Sequence, residues 1–173
     1  MLLKPQDTLL VLKYWSIKAQ GQRLSVREKA ESIKVSIGEI SKSTRRLIAA
    51  HLVVERDGEF NVEKTALLEW LAYGVRYAYP MESIGYGRGM PTSWNCPRVK
   101  TEVVPPDPPI AWSVSGGKVE GTLISPIHES VPFAASNDEL LYEALSLIEA
   151  IRGGKPRELA IAREALSVLV RKH

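Results

Sequence analysis

One cysteine, Cys96, stands among 173 residues. No disulfide can form within the chain, and a reducing compartment, the cytoplasm, is expected. Long apolar runs are missing as well. None approaches the roughly 20 residues that cross a bilayer. The start, Met1-Leu-Leu-Lys-Pro-Gln-Asp7, has neither the basic stretch nor the apolar length of a signal peptide. Membrane association is therefore not expected. Histidine is scarce, and His51, His128 and His173, with Cys96, give no metal-ligand spacing. There is no Gly-x-Ser-x-Gly elbow. Cys96, between Asn95 and Pro97, has no neighbour that would activate its thiol. Gly85-x-Gly87-x-Gly89 lacks both the spacing and the strand-then-helix context of a dinucleotide fingerprint. The expectation is a protein that is not an enzyme and needs no cofactor or metal. Charge of one sign is only in slight excess, net +3 with a pI of about 9.0. That fits a nucleic-acid partner without demanding one.

What is present is ordinary globular material, 45% hydrophobic and 25% charged. The composition shifts twice. Residues 1–80 are rich in charge and helix formers. Residues 81–135, with Pro80 at their border, hold most of the 11 prolines, including Pro105-Pro106 and Pro108-Pro109, so long helices are not expected there. Residues 136–173 return to a helical pattern. The expected class is mainly α with some β (α+β), in three parts with these bounds.

A first helix is expected over Gln6–Ala19, with an apolar stripe and Pro5 at its entrance. Ser25-Val-Arg-Glu28 and Ser36-Ile-Gly-Glu39 both have the form of a capping box, in which serine bonds the N–H three residues on and glutamate reaches back. They predict a short helix over 26–33, a turn, and a second helix over 37–51. Asp57-Gly58, between Leu52–Arg56 and Glu59–Val62, predicts a β-hairpin. A further helix is expected over Glu63–Tyr79. Residues 81–109 read as an extended, ordered loop. Trp112–Ser115, Gly116-Gly117 and Lys118–Ile124 read as a second hairpin. Ser136-Asn-Asp-Glu139 reads as a third capping box, with Asp138 and Glu139 as helix-start charges. It opens helices over 137–152 and 156–172, an αα-hairpin.

Helix, short helix, turn, helix, β-hairpin is the order of a winged helix-turn-helix. The segment Leu24–Leu47 resembles the helix-turn-helix of bacterial winged-helix regulators of the MarR-like or antitoxin-like kind, and the likeness extends over about residues 6–65. In that reading Ala30 sits at a close helix approach, and Ile33, Val35, Ile40 and Leu47 make a small core. The sequence departs from the family at Lys29, where an apolar residue is usual, and at Lys34, where glycine is usual. Lys29 then has to snorkel from a half-buried site. Lys34 has to adopt a left-handed conformation at a cost of about 1–2 kcal/mol.

The resemblance implies a regulator that binds double-stranded DNA in a sequence-specific way, a repressor acting as a homodimer. If Ile40 and Leu47 face inward, the opposite face shows Ser36, Gly38, Ser41, Lys42 and Arg45, with Arg46 alongside. Serines and a helix start can bond phosphates, and lysine and arginine can read guanine edges. Arg56 at the wing tip could reach an adjacent groove or backbone. The terminal hairpin has apolar positions on more than one side, so it either packs on residues 80–135 or makes a dimer interface, and a homodimer is expected. Arg76, Tyr77, Arg88 and Trp94, among glycines and aromatics, are candidates for a ligand or partner pocket, although turns and core packing explain the same residues. The segment 73–97 with the terminal hairpin also looks like small winged-helix proteins found beside nucleotidyltransferase-like toxins. The alternative function is therefore an antitoxin-like or adaptor protein that binds a partner protein.

Overall fold

The computed structural model describes residues 2–173. Helix (53%) outweighs strand (16%), giving a mixed α+β fold. The chain runs α1 (Pro5–Ala19), α2 (Val26–Ser32), α3 (Ile37–Ala49), β1 (Val53–Arg56), β2 (Glu59–Val62) and α4 (Lys64–Glu69). A π turn over Trp70–Gly74 leads to α5 (Val75–Ala78), then β3 (Ser83–Pro91), a 3₁₀ turn over Ser93–Asn95, β4 (Ile110–Ser113) and β5 (Val119–Ile124). Helices α6 (Val131–Ser136), α7 (Glu139–Gly153) and α8 (Pro156–Lys172) complete the chain. Among the described residues, no helix is long and apolar enough to cross a membrane.

Helix α1 is the hub. Every residue from Asp7 to Ile17 is buried, so it is enclosed on all sides rather than along one stripe. Its buried polar groups reach three other parts of the chain. Asp7 pairs with Arg46 of α3, Thr8 accepts the Trp70 indole N–H at 3.0 Å, and Lys13 and Ser16 meet Asp138 at 2.9 and 2.6 Å. Buried polar groups are tolerated when so partnered. The hydrophobic core is continuous from α1 through α4 and α5 to α7 and α8.

The π turn has a local cause. A Cβ on Gly74 would lie 2.4 Å from the Trp70 ring, so the widened turn accommodates that ring while its N–H reaches Thr8. The Ala72 carbonyl of this turn accepts the Arg163 Nε–H at 2.8 Å.

Residues 83–124 differ from the sequence reading in two ways. The expected loop over 81–109 contains the nine-residue strand β3. The expected hairpin of β4 with β5 is not one. These strands run parallel to each other, and each pairs antiparallel with β3, closing a three-stranded barrel. A ring this small has no room for side chains where strands cross. A Cβ on Gly117 would stand 2.4 Å from the Gly89 nitrogen, and one on Gly121 only 1.9 Å from the Pro109 oxygen. Gly116 still makes a turn, while Gly117 and Gly121 allow the ring to close.

Helix α7 is also capped differently. Asp138, not Ser136, accepts the Leu141 N–H at 3.0 Å, while the Ser136 hydroxyl donates to Phe133 at the end of α6. A short helix, α6, thus occupies the end of the proline-rich stretch, with Pro132 in its first turn. A buried ionic cluster fastens the barrel to α7. Glu149, 1% exposed, accepts from the Trp112 indole at 3.1 Å and from Arg152 at 2.6 Å. Arg152 also donates to the carbonyls of Tyr79, Pro80 and Ser125.

Candidate nucleic-acid interface

Local signals set α2 and α3 as expected. The Ser25 box is complete, with the Ser25 hydroxyl accepting from Glu28 N–H and the Glu28 carboxylate accepting from Ser25 N–H. The Ser36 box is half made. Its hydroxyl accepts the Glu39 N–H at 3.2 Å. The Glu39 carboxylate turns instead to Gln6 at 2.8 Å and Lys42 at 3.0 Å, and the Gln6 amide followed by the Lys42 ammonium lowers its pKa. Ala30 and Ile33 are buried and Lys34 is left-handed, with φ +49°. The two unusual lysines rest on aromatic faces. The Lys29 ammonium lies 5.2 Å from the Tyr14 ring centre, and that of Lys34 lies 4.1 Å from the Phe133 ring centre. Burial lowers the Lys29 pKa.

Helix α3 divides cleanly. Ile40, Ser43, Thr44 and Leu47 are buried. Thr44 bonds the Tyr14 hydroxyl at 2.7 Å, which fixes the helix against α1. On the other side, Gly38, Ser41, Lys42 and Arg45 follow i, i+3, i+4, i+7 spacing and are all exposed. Ser36 is exposed at the helix start. A Cβ at Gly38 would meet nothing within 4 Å, so this position is open to whatever approaches. Lys42 pairs with Glu39 at a solvent-exposed site, where such pairs are weak and exchange readily. Arg45 makes no ion pair among the described residues.

Arg46 departs from this face. Its guanidinium, 11% exposed, makes a two-pronged bond at 2.7 and 2.8 Å to the fully buried Asp7 carboxylate, and this bond raises its pKa. It joins α3 to α1 and does not face solvent beside Arg45. The signal that finds it is in α1. An aspartate inside a fully buried helix needs a cation, and Arg46 lies next to Leu47 on the edge of the buried stripe.

The β1–β2 hairpin turns through Asp57 and Gly58, with φ of +53° and +76°, as a two-residue turn with both φ positive requires. Arg56 is exposed and pairs with Glu63 at 3.6 Å. Glu55, Asp57 and Glu59 surround it, so the tip is acidic overall. The larger charge pattern runs the other way. Residues 1–63 hold 11 lysines and arginines against 8 acids, and residues 64–173 hold 12 against 12. The net charge of the chain therefore lies in the part that contains α3.

The four pocket candidates do not converge. Trp94 is in the core, 4% exposed. Arg76 lies against the ring of its exposed neighbour Tyr77, and Arg88 pairs at 4.0 Å with Glu120, its exposed partner on the adjacent strand β5. None of them lines the three clefts, of about 940, 480 and 200 Å³. The largest of them lies between α7, α8 and residues 98–102, on the terminal hairpin whose surplus apolar positions the sequence singled out. Comparison of the chain with protein-family models, curated proteins and solved structures finds no match.

Proposed function

We propose that residues 1–80 form a winged helix-turn-helix that binds double-stranded DNA in a sequence-specific way, and that the protein is a cytoplasmic transcriptional regulator, a repressor acting as a homodimer. One observation carries the reading: the exposed face of α3, where Gly38, Ser41, Lys42 and Arg45 stand clear of the fold at i, i+3, i+4 and i+7. A helix held by its buried side and bare on the other fits the major groove. The uneven charge supports it, because phosphate attraction needs a positive region more than a positive molecule.

The contact set is Ser36, Gly38, Ser41, Lys42 and Arg45. Arg46 is left out because Asp7 holds it. Arg56 adds little, since three carboxylates of the wing oppose its attraction to phosphate. The test is fluorescence anisotropy with duplex DNA from upstream of the protein's own gene, against scrambled competitor. Competitor-resistant binding is expected. Equal affinity for both sequences would remove the sequence-specific part of the proposal.

A second reading, an antitoxin-like or adaptor protein, draws on the cleft of about 940 Å³ along α7 and α8, where Val168 is 56% exposed. It predicts a stable complex with a partner protein that survives Lys42→Ala with Arg45→Ala and is broken by Val168→Asp.

A further inference from the structure

Helices α2 and α3 open on the same sequence signal, and only one of the two capping boxes is completed. Ser25 and Glu28 make both bonds of theirs. In Ser36-Ile-Gly-Glu39 the serine makes its bond, but the Glu39 carboxylate does not reach back. The cause lies in α1. The Gln6 amide donates to one Glu39 oxygen at 2.8 Å and to the hydroxyl of the buried Ser43 at 2.9 Å. The Lys42 ammonium donates to the other Glu39 oxygen at 3.0 Å.

Glu39 is the only acid of α3 and stands in its first turn, its side chain 36% exposed beside Lys42 at 59%. The Gln6 and Lys42 bonds lower its pKa, so it is charged at neutral pH. A fixed negative charge on a face that meets DNA is repelled by phosphate and lowers affinity along the backbone. It gains only where it finds a donor, and the major groove offers the amino groups of cytosine and adenine. Glu39 and Lys42 present an acceptor and a donor side by side. A G·C pair answers with cytosine N4 as donor and guanine O6 and N7 as two acceptors. An A·T pair offers one amino group, beside a thymine with a single acceptor and a methyl group. The exposed bond to Lys42 is weak, so the lysine can turn partly to a base, while the half-buried bond to Gln6 keeps the carboxylate in place.

We propose that Glu39 is a specificity-determining residue of the DNA site: its carboxylate accepts from the N4 amino group of a cytosine while Lys42 donates to O6 and N7 of the guanine paired with it, so the preferred sequence carries a G·C pair opposite the first turn of α3. Gln6 is a positioning residue. It acts through Glu39 by fixing where the carboxylate stands, as base readout requires and phosphate attraction does not. The inference rests on the reading of α3 as the helix that enters the groove.

The full chain first selects duplexes from a random pool, which gives its preferred site. Anisotropy then measures affinity for that site and for each single base-pair replacement, with the wild type, Glu39→Ala and Gln6→Ala. In the wild type, replacing one G·C pair by A·T should weaken binding by about 10- to 100-fold. Glu39→Ala should remove the preference at that position alone and raise affinity for scrambled duplex, because a repelling charge is gone. Gln6→Ala leaves the charge unchanged. It should narrow the same preference without altering the affinity for scrambled duplex or its salt dependence, whereas a purely structural role would lower affinity for every sequence alike. Urea midpoints check that the variants fold, and Glu39→Ala decides alone if Gln6→Ala does not. If the wild type enriches no sequence, the DNA reading falls and this inference with it. If a sequence is enriched but Glu39→Ala keeps every base-pair preference, or the position it changes is not a G·C pair, the DNA reading stands and this inference is overturned.

Discussion

The exposed face of α3 and the buried cluster around Glu149 use charge in opposite ways. On α3, Lys42 and Arg45 point to solvent, one in a weak pair and the other in none. Around Glu149, every charge is enclosed, and Arg152 is met by a carboxylate and three carbonyl oxygens. Burial pushes the Glu149 pKa up, and Arg152 and Trp112 oppose that shift. Enclosed charges that satisfy one another hold elements together. Exposed charges that satisfy nothing within the molecule are available to something outside it. The two kinds should separate under mutation, the first changing stability and the second binding.

The largest effect is expected at Arg152→Leu. It leaves Glu149 buried without its cation and should cost about 3–5 kcal/mol in stability. Urea unfolding measures this. Glu149→Gln with Arg152→Met should cost clearly less than the single change, because no unpaired charge remains. Arg46→Ala comes next. It strands Asp7, although Lys4 N–H still bonds that carboxylate, and should cost about 2–3 kcal/mol. If Arg46 were a DNA contact instead, its loss would weaken binding while leaving the urea midpoint in place.

Lys42→Ala with Arg45→Ala should do the reverse. A loss of about 1–3 kcal/mol in DNA binding, or roughly 10- to 100-fold in affinity, is expected with unfolding unchanged. Gly38→Ala sharpens the same contrast. It should stabilise the helix by up to about 1 kcal/mol, since the position is helical and open, whereas Gly38→Phe should fold equally well and bind DNA poorly. The smallest effect belongs to Arg56→Ala, below about 0.5 kcal/mol in either measurement, because the pair with Glu63 is exposed and the wing is acidic.

How much of this was legible in the sequence follows from how local each signal is. Ser25-x-x-Glu28 and Asp57-Gly58 act within a few residues, and the helix start and the turn lie where those residues put them. The outward set on α3 followed from helical spacing alone. Arg46 did not, because its partner is 39 residues away in α1. The barrel was hidden for the same reason. Strand β3 pairs with residues 119–124, 30 or more positions on, and no turn signal near Ser83–Pro91 announces that pairing. A weak trace existed in Ile84, Tyr86 and Arg88 alternating with glycines, a period of two that fits a strand with one crowded side. Asp138 was read as a helix-start charge, and it is the cap. Ser136 had the right spacing for a capping box but was outcompeted by an acid that also meets Lys13 and Ser16.

The most direct test of the central claim is the salt dependence of duplex DNA binding by the wild-type chain and by Lys42→Ala with Arg45→Ala. Each phosphate contact contributes about 0.9 to the slope of log affinity against log salt. The wild-type slope should be steep, and the variant's shallower by about one to two units with weaker binding. Identical slopes and affinities for both proteins would contradict the claim that the exposed face of α3 is what touches DNA.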